Sequence, residues 1–132
     1  MNAGVLALQG SCEPHCAALA RLGVAAREVR GPQDLEGLSH LVLPGGESTT
    51  LHHLLRLFGL LDPLVARHRA GTLALFGTCA GAILLSRGCG GKPPTLGLLD
   101  VEVRRNAYGR QKDSFTREIG RASCRERVYA RV

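Results

Sequence analysis

The chain has no tryptophan, one methionine, two tyrosines and three phenylalanines in 132 residues. Its 45% hydrophobic content is therefore mostly aliphatic and, with 21% charged residues, matches an ordinary soluble globular domain. No apolar run approaches the roughly 20 residues of a helical membrane span. No basic region precedes the short apolar stretch at the N-terminus, as a secretory signal requires. A membrane role is thereby set aside, and the cytoplasm is the expected location. No internal repeat or low-complexity segment is present.

A disulfide framework and a zinc knuckle are missing as well. The cysteines, at 12, 16, 79, 89 and 124, are odd in number and lack secretory context, so free thiols are expected. Cys12 and Cys16 have metal-ligand spacing with His15 between them, but no second Cys or His pair follows and His52-His53 is far away. Structural zinc needs four ligands in recognisable pairs. The pair reads instead as two thiols on one helical turn, and no metal site is assigned.

The formal net charge of +6 at first suggests nucleic acid. Residues 1–103 carry eight Lys/Arg and eight Asp/Glu, whereas residues 104–132 carry nine against three. The globular part has no basic excess, so the charge is a property of the last segment.

Hydropathy patterning predicts alternating strands and helices. Residues 3–8 form a continuous apolar run ending near Gly10, as in a strand buried on both faces. Ser11 and Glu13-Pro14 open a helix closed by Gly23. Further strands are expected at 24–29, 38–43 and 72–76, with helical patterning from Leu51 to Val65 between the last two. After Cys79 the run "AGAILLS" predicts another helix, residues 87–94 a Gly/Pro-rich loop, and residues from Leu96 an extended segment. Such alternation indicates an α/β fold: a doubly wound, mostly parallel sheet with flanking helices, flavodoxin- or Rossmann-like.

Ligands collect where strands of such a sheet end and helices begin. One such end reads "FGTCAG" (76–81), a Gly-x-Cys-x-Gly between strand and helix, which is the form of a nucleophile elbow. A side chain on either flanking residue would collide with the adjacent strand or helix. The helix dipole favours the thiolate of Cys79, and the N–H of Ala80 is placed to receive a developing oxyanion. The plainer alternative is a small buried hydrophobe. The other end, "LPGGESTT" (43–50), offers backbone N–H groups from Gly45-Gly46 and carries Glu47 and Ser48 at a helix start. Its plainer reading is a turn and a cap, with Ser48 or Thr49 capping and Glu47 solvated. Two glycine-rich loops facing one crevice suggest an acyl-transfer site.

The set "GVLALQG" (4–10), "LPGGEST" (43–49), "FGTCAG" (76–81), "LGLLDV" (96–101) and "RNAYGRQKDSF" (105–115) resembles the glutaminase subunits of pyridoxal 5'-phosphate synthase, which are class I, triad-type glutamine amidotransferases. The resemblance runs through residues 1–118 and implies hydrolysis of L-glutamine to glutamate and ammonia. The ammonia would pass to a separate (βα)8-barrel synthase subunit. By this resemblance Cys79 is the nucleophile, Gly46, Glu47 and Ser48 bind glutamine together with Arg105, and the N–H groups of Gly46 and Ala80 form the oxyanion hole. It implies no metal or organic cofactor.

The same resemblance calls for a His-x-Glu pair some ninety residues after the cysteine. The sequence ends 53 residues after Cys79, and none of His15, His40, His52, His53 and His68 stands in a His-x-Glu context. His15 matches a family position read as structural or interfacial, and the other four are read as surface residues. Residues 1–118 are thus expected to be a partial glutaminase domain. Residues 119–132, "IGRASCRERVYARV" with Glu118 before them, depart from the family pattern and resemble read-through of a sequencing adapter; an arginine-rich arm for nucleic acid is the alternative. Two other functions stay open: a non-catalytic glutamine- or synthase-binding remnant, and a different Cys-elbow hydrolase. Without its final strands the sheet is expected to leave apolar faces and a strand edge uncovered.

Overall fold

The computed structural model describes residues 1–10, 12–90, 94–104, 116–123 and 126–131, the last two ranges as backbone. In chain order the elements are β1 (Ala3–Leu6), α1 (Cys12–Arg21), β2 (Ala26–Val29), a 3-10 turn (Pro32–Leu35), β3 (His40–Leu43), α2 (Ser48–Leu57), α3 (Leu61–Arg69), β4 (Ala74–Gly77), α4 (Ala80–Leu85), β5 (Ser86–Gly88), β6 (Leu99–Glu102), β7 (Thr116–Ser123) and β8 (Glu126–Arg131). Strands β1 to β4 form one parallel sheet in the order β2-β1-β3-β4. This is the flavodoxin-like winding, mostly parallel with flanking helices, and its order reverses between β1 and β3.

All four residues of β1 are buried, which its unbroken apolar run requires of a central parallel strand. The core joins Leu6, Val29, Leu41 and Leu43 of the sheet to Leu51 and Leu55 of α2, Leu64 of α3 and Leu84 of α4. In α2 the buried Leu51 and Leu55 stand four apart on one helical face. The guanidinium of Arg67 in α3 donates to the carbonyls of Leu35 and Leu38, fastening the 3-10 turn to the helix layer.

The strands are shorter than the apolar runs. Residues 24 and 72 are taken up by the preceding helices: the N–H of Val24 donates to Leu19 O at 3.0 Å, and the N–H of Thr72 to Arg67 O at 3.0 Å. These bonds close the C-termini of α1 and α3, so the strands begin later. The helical pattern from Leu51 to Val65 divides at Gly59, which has φ +68°.

The expected loop at 87–94 is overturned in its first two residues. Arg87 and Gly88 belong to β5, which pairs in parallel with β6. The pairing continues beyond the ladder, with Gly97 N donating to Ser86 O at 3.0 Å and Val103 N to Gly88 O at 2.9 Å. Strands β7 and β8 form a separate antiparallel pair. Among the described residues no helix is long and apolar enough to cross a membrane.

Candidate active site

Three neighbouring strands, β1, β3 and β4, run in the same direction and end at one edge of the sheet, beside its reversal point. The loops leaving them are Ala7–Gly10, Pro44–Glu47 and Thr78–Cys79. Cys79 has φ 52° and ψ −114° and is the one non-glycine residue with positive φ among those described. An L-residue there is strained by roughly 1–3 kcal/mol, and such strain persists only where the surroundings impose it.

The flanking glycines permit the close backbone approach that holds it there. A Cβ on Gly81 would stand 2.1 Å from the carbonyl oxygen of Leu43, and one on Gly77 would stand 2.5 Å from the carbonyl carbon of Gly81. Both collisions are with backbone, so no side chain can turn aside to relieve them. The turn packs this tightly because Thr78 N donates to Leu43 O at 3.0 Å and Gly81 N to Thr78 O at 2.9 Å. The chain rises at Cys79 and falls back into α4, leaving the thiol exposed.

The glycine-rich loop after β3 lies against this thiol. A Cβ on Gly45 would be 3.2 Å from Cys79 Cβ and 3.8 Å from its sulfur. Gly10 closes on the same loop, where a Cβ would be 2.1 Å from Gly45 O. Gly46 has φ +136°, and the side chain of Gln9 fills the space a Cβ there would take. Gln9 Nε2 donates to Glu47 O at 2.8 Å, tying the β1 loop to the β3 loop.

Glu47 is the N-cap of α2. Its carboxylate accepts from Thr49 N at 3.1 Å, Thr50 N at 2.7 Å and Thr50 Oγ1 at 2.8 Å. Donation from the Thr50 backbone N–H, then from the Thr50 hydroxyl, lowers its pKa to about 2, so it is ionised at neutral pH. This replaces the simple cap by Ser48 or Thr49 that the sequence suggested. Ser48 is 1% exposed, and its hydroxyl oxygen has no hydrogen-bond partner among the described residues.

Five sequence-predicted residues lie on two adjoining loops and the helix starts that follow them: Gly46 and Glu47 with Ser48 of α2, and Cys79 with Ala80 of α4. Arg105 lies outside the described residues. Gln9 and the pair His15 and Thr78 were not singled out for a site by sequence reasoning. His15 Nε2 lies 3.0 Å from Thr78 Oγ1, directly before the cysteine. The signal for Gln9 was its place between a strand run and Gly10; nothing local marks the pairing of His15 with Thr78, 63 residues apart. Of the histidines read as surface, His52 is half-buried, and burial followed by Arg56 lowers its pKa. His68 is half-buried too, its Nδ1 3.0 Å from Leu73 O. Among the described residues no group of three or more His, Cys, Asp or Glu is arranged to hold a metal ion.

An exposed thiol on a strained turn, beside a loop that presents backbone to it, has the parts for attack on a carbonyl carbon. Comparison with known proteins gives the family of the chain. Residues 5–132 match the model of the SNO glutamine amidotransferase family. The chain is 56% identical over 118 residues to a pyridoxal 5'-phosphate synthase subunit PdxT of Thermus thermophilus, covering 88% of this chain and 62% of that protein. It is 58% identical over 122 residues to the protein of that name from Deinococcus radiodurans, with the same two coverages, and 46% identical over 119 residues to that of Methanocaldococcus jannaschii. The chain therefore spans about 62% of the length of these relatives. A solved structure described as a glutamine amidotransferase superposes with a TM-score of 0.81 at 47% identity, covering 98% of this chain and 69% of that one.

Proposed function

From the premise that the chain belongs to the SNO glutamine amidotransferase family, we propose that its site binds L-glutamine and that Cys79 is the nucleophile toward the side-chain amide. The observation that carries this reading is the strained elbow itself, with the Cys79 sulfur beside the Gly45-Gly46 loop. The thiolate attacks the amide carbon, and the carbonyl oxygen gains negative charge. The N–H groups of Gly46 and Ala80 receive that charge, a contribution of about 3–4 kcal/mol per donor in comparable sites. The amide nitrogen then leaves as ammonia once protonated, and water hydrolyses the thioester to glutamate. The ammonia is passed to a (βα)8-barrel synthase subunit that makes pyridoxal 5'-phosphate. Gly46, Glu47 and Ser48 hold the substrate, with Arg105 completing the set.

Each proton transfer needs a base, and the 132 residues include no His-x-Glu pair. Loss of the base from a nucleophile-base unit lowers kcat by about 10⁴- to 10⁶-fold. In a second reading these 132 residues bind glutamine or the synthase without turnover. An electrophilic glutamine analogue separates the possibilities. Labelling of Cys79 by a diazoketone analogue, slowed by L-glutamine and absent in Cys79→Ala, is the expected result. Ammonia release from glutamine should stay at background. Labelling indifferent to glutamine would overturn the substrate and favour a different Cys-elbow hydrolase.

A further inference from the structure

Helix α1 carries two thiols for which glutamine chemistry has no use. Cys12 and Cys16 are four residues apart, so their side chains stack on one face of the helix. Their sulfurs are 3.8 Å apart, and both thiols are free and half-buried. Cys12 Sγ also faces the carbonyl of Val5, at 4.0 Å. In the same turn is His15, whose ring nitrogen meets the hydroxyl of Thr78 at 3.0 Å. The thiol pair and the nucleophile elbow are therefore linked through one helical turn and one hydrogen bond.

We propose that Cys12 and Cys16 form an oxidisable dithiol, a modification site for hydroperoxides, whose closure to a disulfide shifts the first turn of α1 and, through His15, the elbow at Thr78. The Cys16 thiolate attacks the O–O bond of hydrogen peroxide. This gives a sulfenic acid on Cys16 and hydroxide, which takes up the proton Cys16 gave away. The Cys12 thiol then attacks the sulfenic sulfur, the S–O bond breaks, and water leaves with the Cys12 proton. Two thiols lose two electrons and the peroxide is reduced to two waters. The Val5 carbonyl facing Cys12 Sγ favours the thiol form of Cys12, and burial, followed by the neighbouring Cys16, raises that thiol, so Cys16 makes the first attack and Cys12 the second.

Closure must deform the helix. Residues at i and i+4 hold their Cβ atoms about 5–6 Å apart, whereas a disulfide needs about 3.5–4.5 Å. The first turn of α1 is able to yield. No residue of α1 is fully buried, Pro14 has no N–H to give, and the N–H groups of a first turn have no partner within the helix. His15 lies between the two cysteines and moves with them.

The test uses the full 132-residue chain as Cys79→Ser, which removes the exposed thiol as a competitor. After treatment with hydrogen peroxide and digestion with trypsin, the peptide Met1–Arg21 contains Cys12 and Cys16 and no other cysteine. It should lose two hydrogens, whether or not Met1 also gains an oxygen, and regain them with dithiothreitol. A dimedone adduct should appear on Cys16 in Cys12→Ser. The amide resonance of Thr78 should shift on oxidation, and should stay fixed in both Cys12→Ser and Cys16→Ser, so that poor folding of one variant leaves the other as control. A peptide that is unchanged, or that gains oxygen without losing hydrogens, overturns the site. A disulfide that forms without moving Thr78 overturns the link to the elbow. Neither readout involves glutamine, so this inference stands or falls independently of the proposed reaction.

Discussion

At the scale of single residues, the backbone at Cys79 gives up stability to hold the thiol outward. The strain at φ 52° and ψ −114° costs about 1–3 kcal/mol, whereas glycine adopts positive φ freely and loses about 0.5–1 kcal/mol through its more flexible unfolded chain. Cys79→Gly should therefore raise the midpoint of thermal unfolding by a few degrees, while Cys79→Ala should not, a difference that calorimetry of the two variants measures. Glu47 gives a pH-dependent counterpart. Its folded pKa is lowered from 4.5 to about 2 by the donors at the start of α2, so its stabilising effect is fully present above pH 4.5 and is lost as pH falls through about 2. Glu47→Gln should melt below the parent at pH 7, and the gap should shrink steadily between pH 4.5 and 2. An equal gap at both ends would show that the charge does not act through the cap. Cys79 was legible because two glycines bracket it after an apolar strand. The cap was not: Ser and Thr are the statistically preferred capping residues and both follow Glu47, so local preference pointed one or two residues too far along.

At the scale of elements, the order of strands and helices was legible because buried parallel strands and amphipathic helices differ in apolar periodicity. Their limits were not, since hydropathy cannot tell a residue that extends a strand from one that closes the previous helix. Val24 and Thr72 do the latter. Strand β5 was hidden for a related reason. Residues 86–88, "SRG", have no strand composition, and their pairing depends on β6, which is remote in sequence. Strand β4 is the terminal strand of the four-stranded sheet, and its Phe76 is 62% exposed. An exposed aromatic on an open strand edge favours pairing between molecules. Phe76→Lys should suppress aggregation seen by light scattering and leave the unfolding midpoint within a few degrees of the parent, because an exposed side chain contributes little to the core. A large drop in midpoint would instead place Phe76 among the stabilising contacts.

At the scale of the whole molecule, charge and fold divide the chain differently. The four-stranded sheet and its helices lie within residues 1–103, which are balanced in charge, whereas the basic excess follows. We propose that residues 1–118 are the folding unit and that 119–132 add charge without stability. The backbone of β7 and β8 forms its own two-stranded sheet, and a lone hairpin is marginal in water. Deleting residues 119–132 removes four arginines and one glutamate, taking the formal net charge from +6 to +3. If the division holds, the midpoint should move by no more than the roughly 0.5 kcal/mol typical of surface changes, equivalent to a few degrees. Retention on heparin should weaken at the same time, since polyanion binding follows the number of neutralised phosphate or sulfate charges. The family match, however, extends to residue 132, so the opposite outcome has a definite meaning. A midpoint that collapses on deletion would make the last segment part of the domain, and its arginines would then have to be explained by contacts rather than by charge alone.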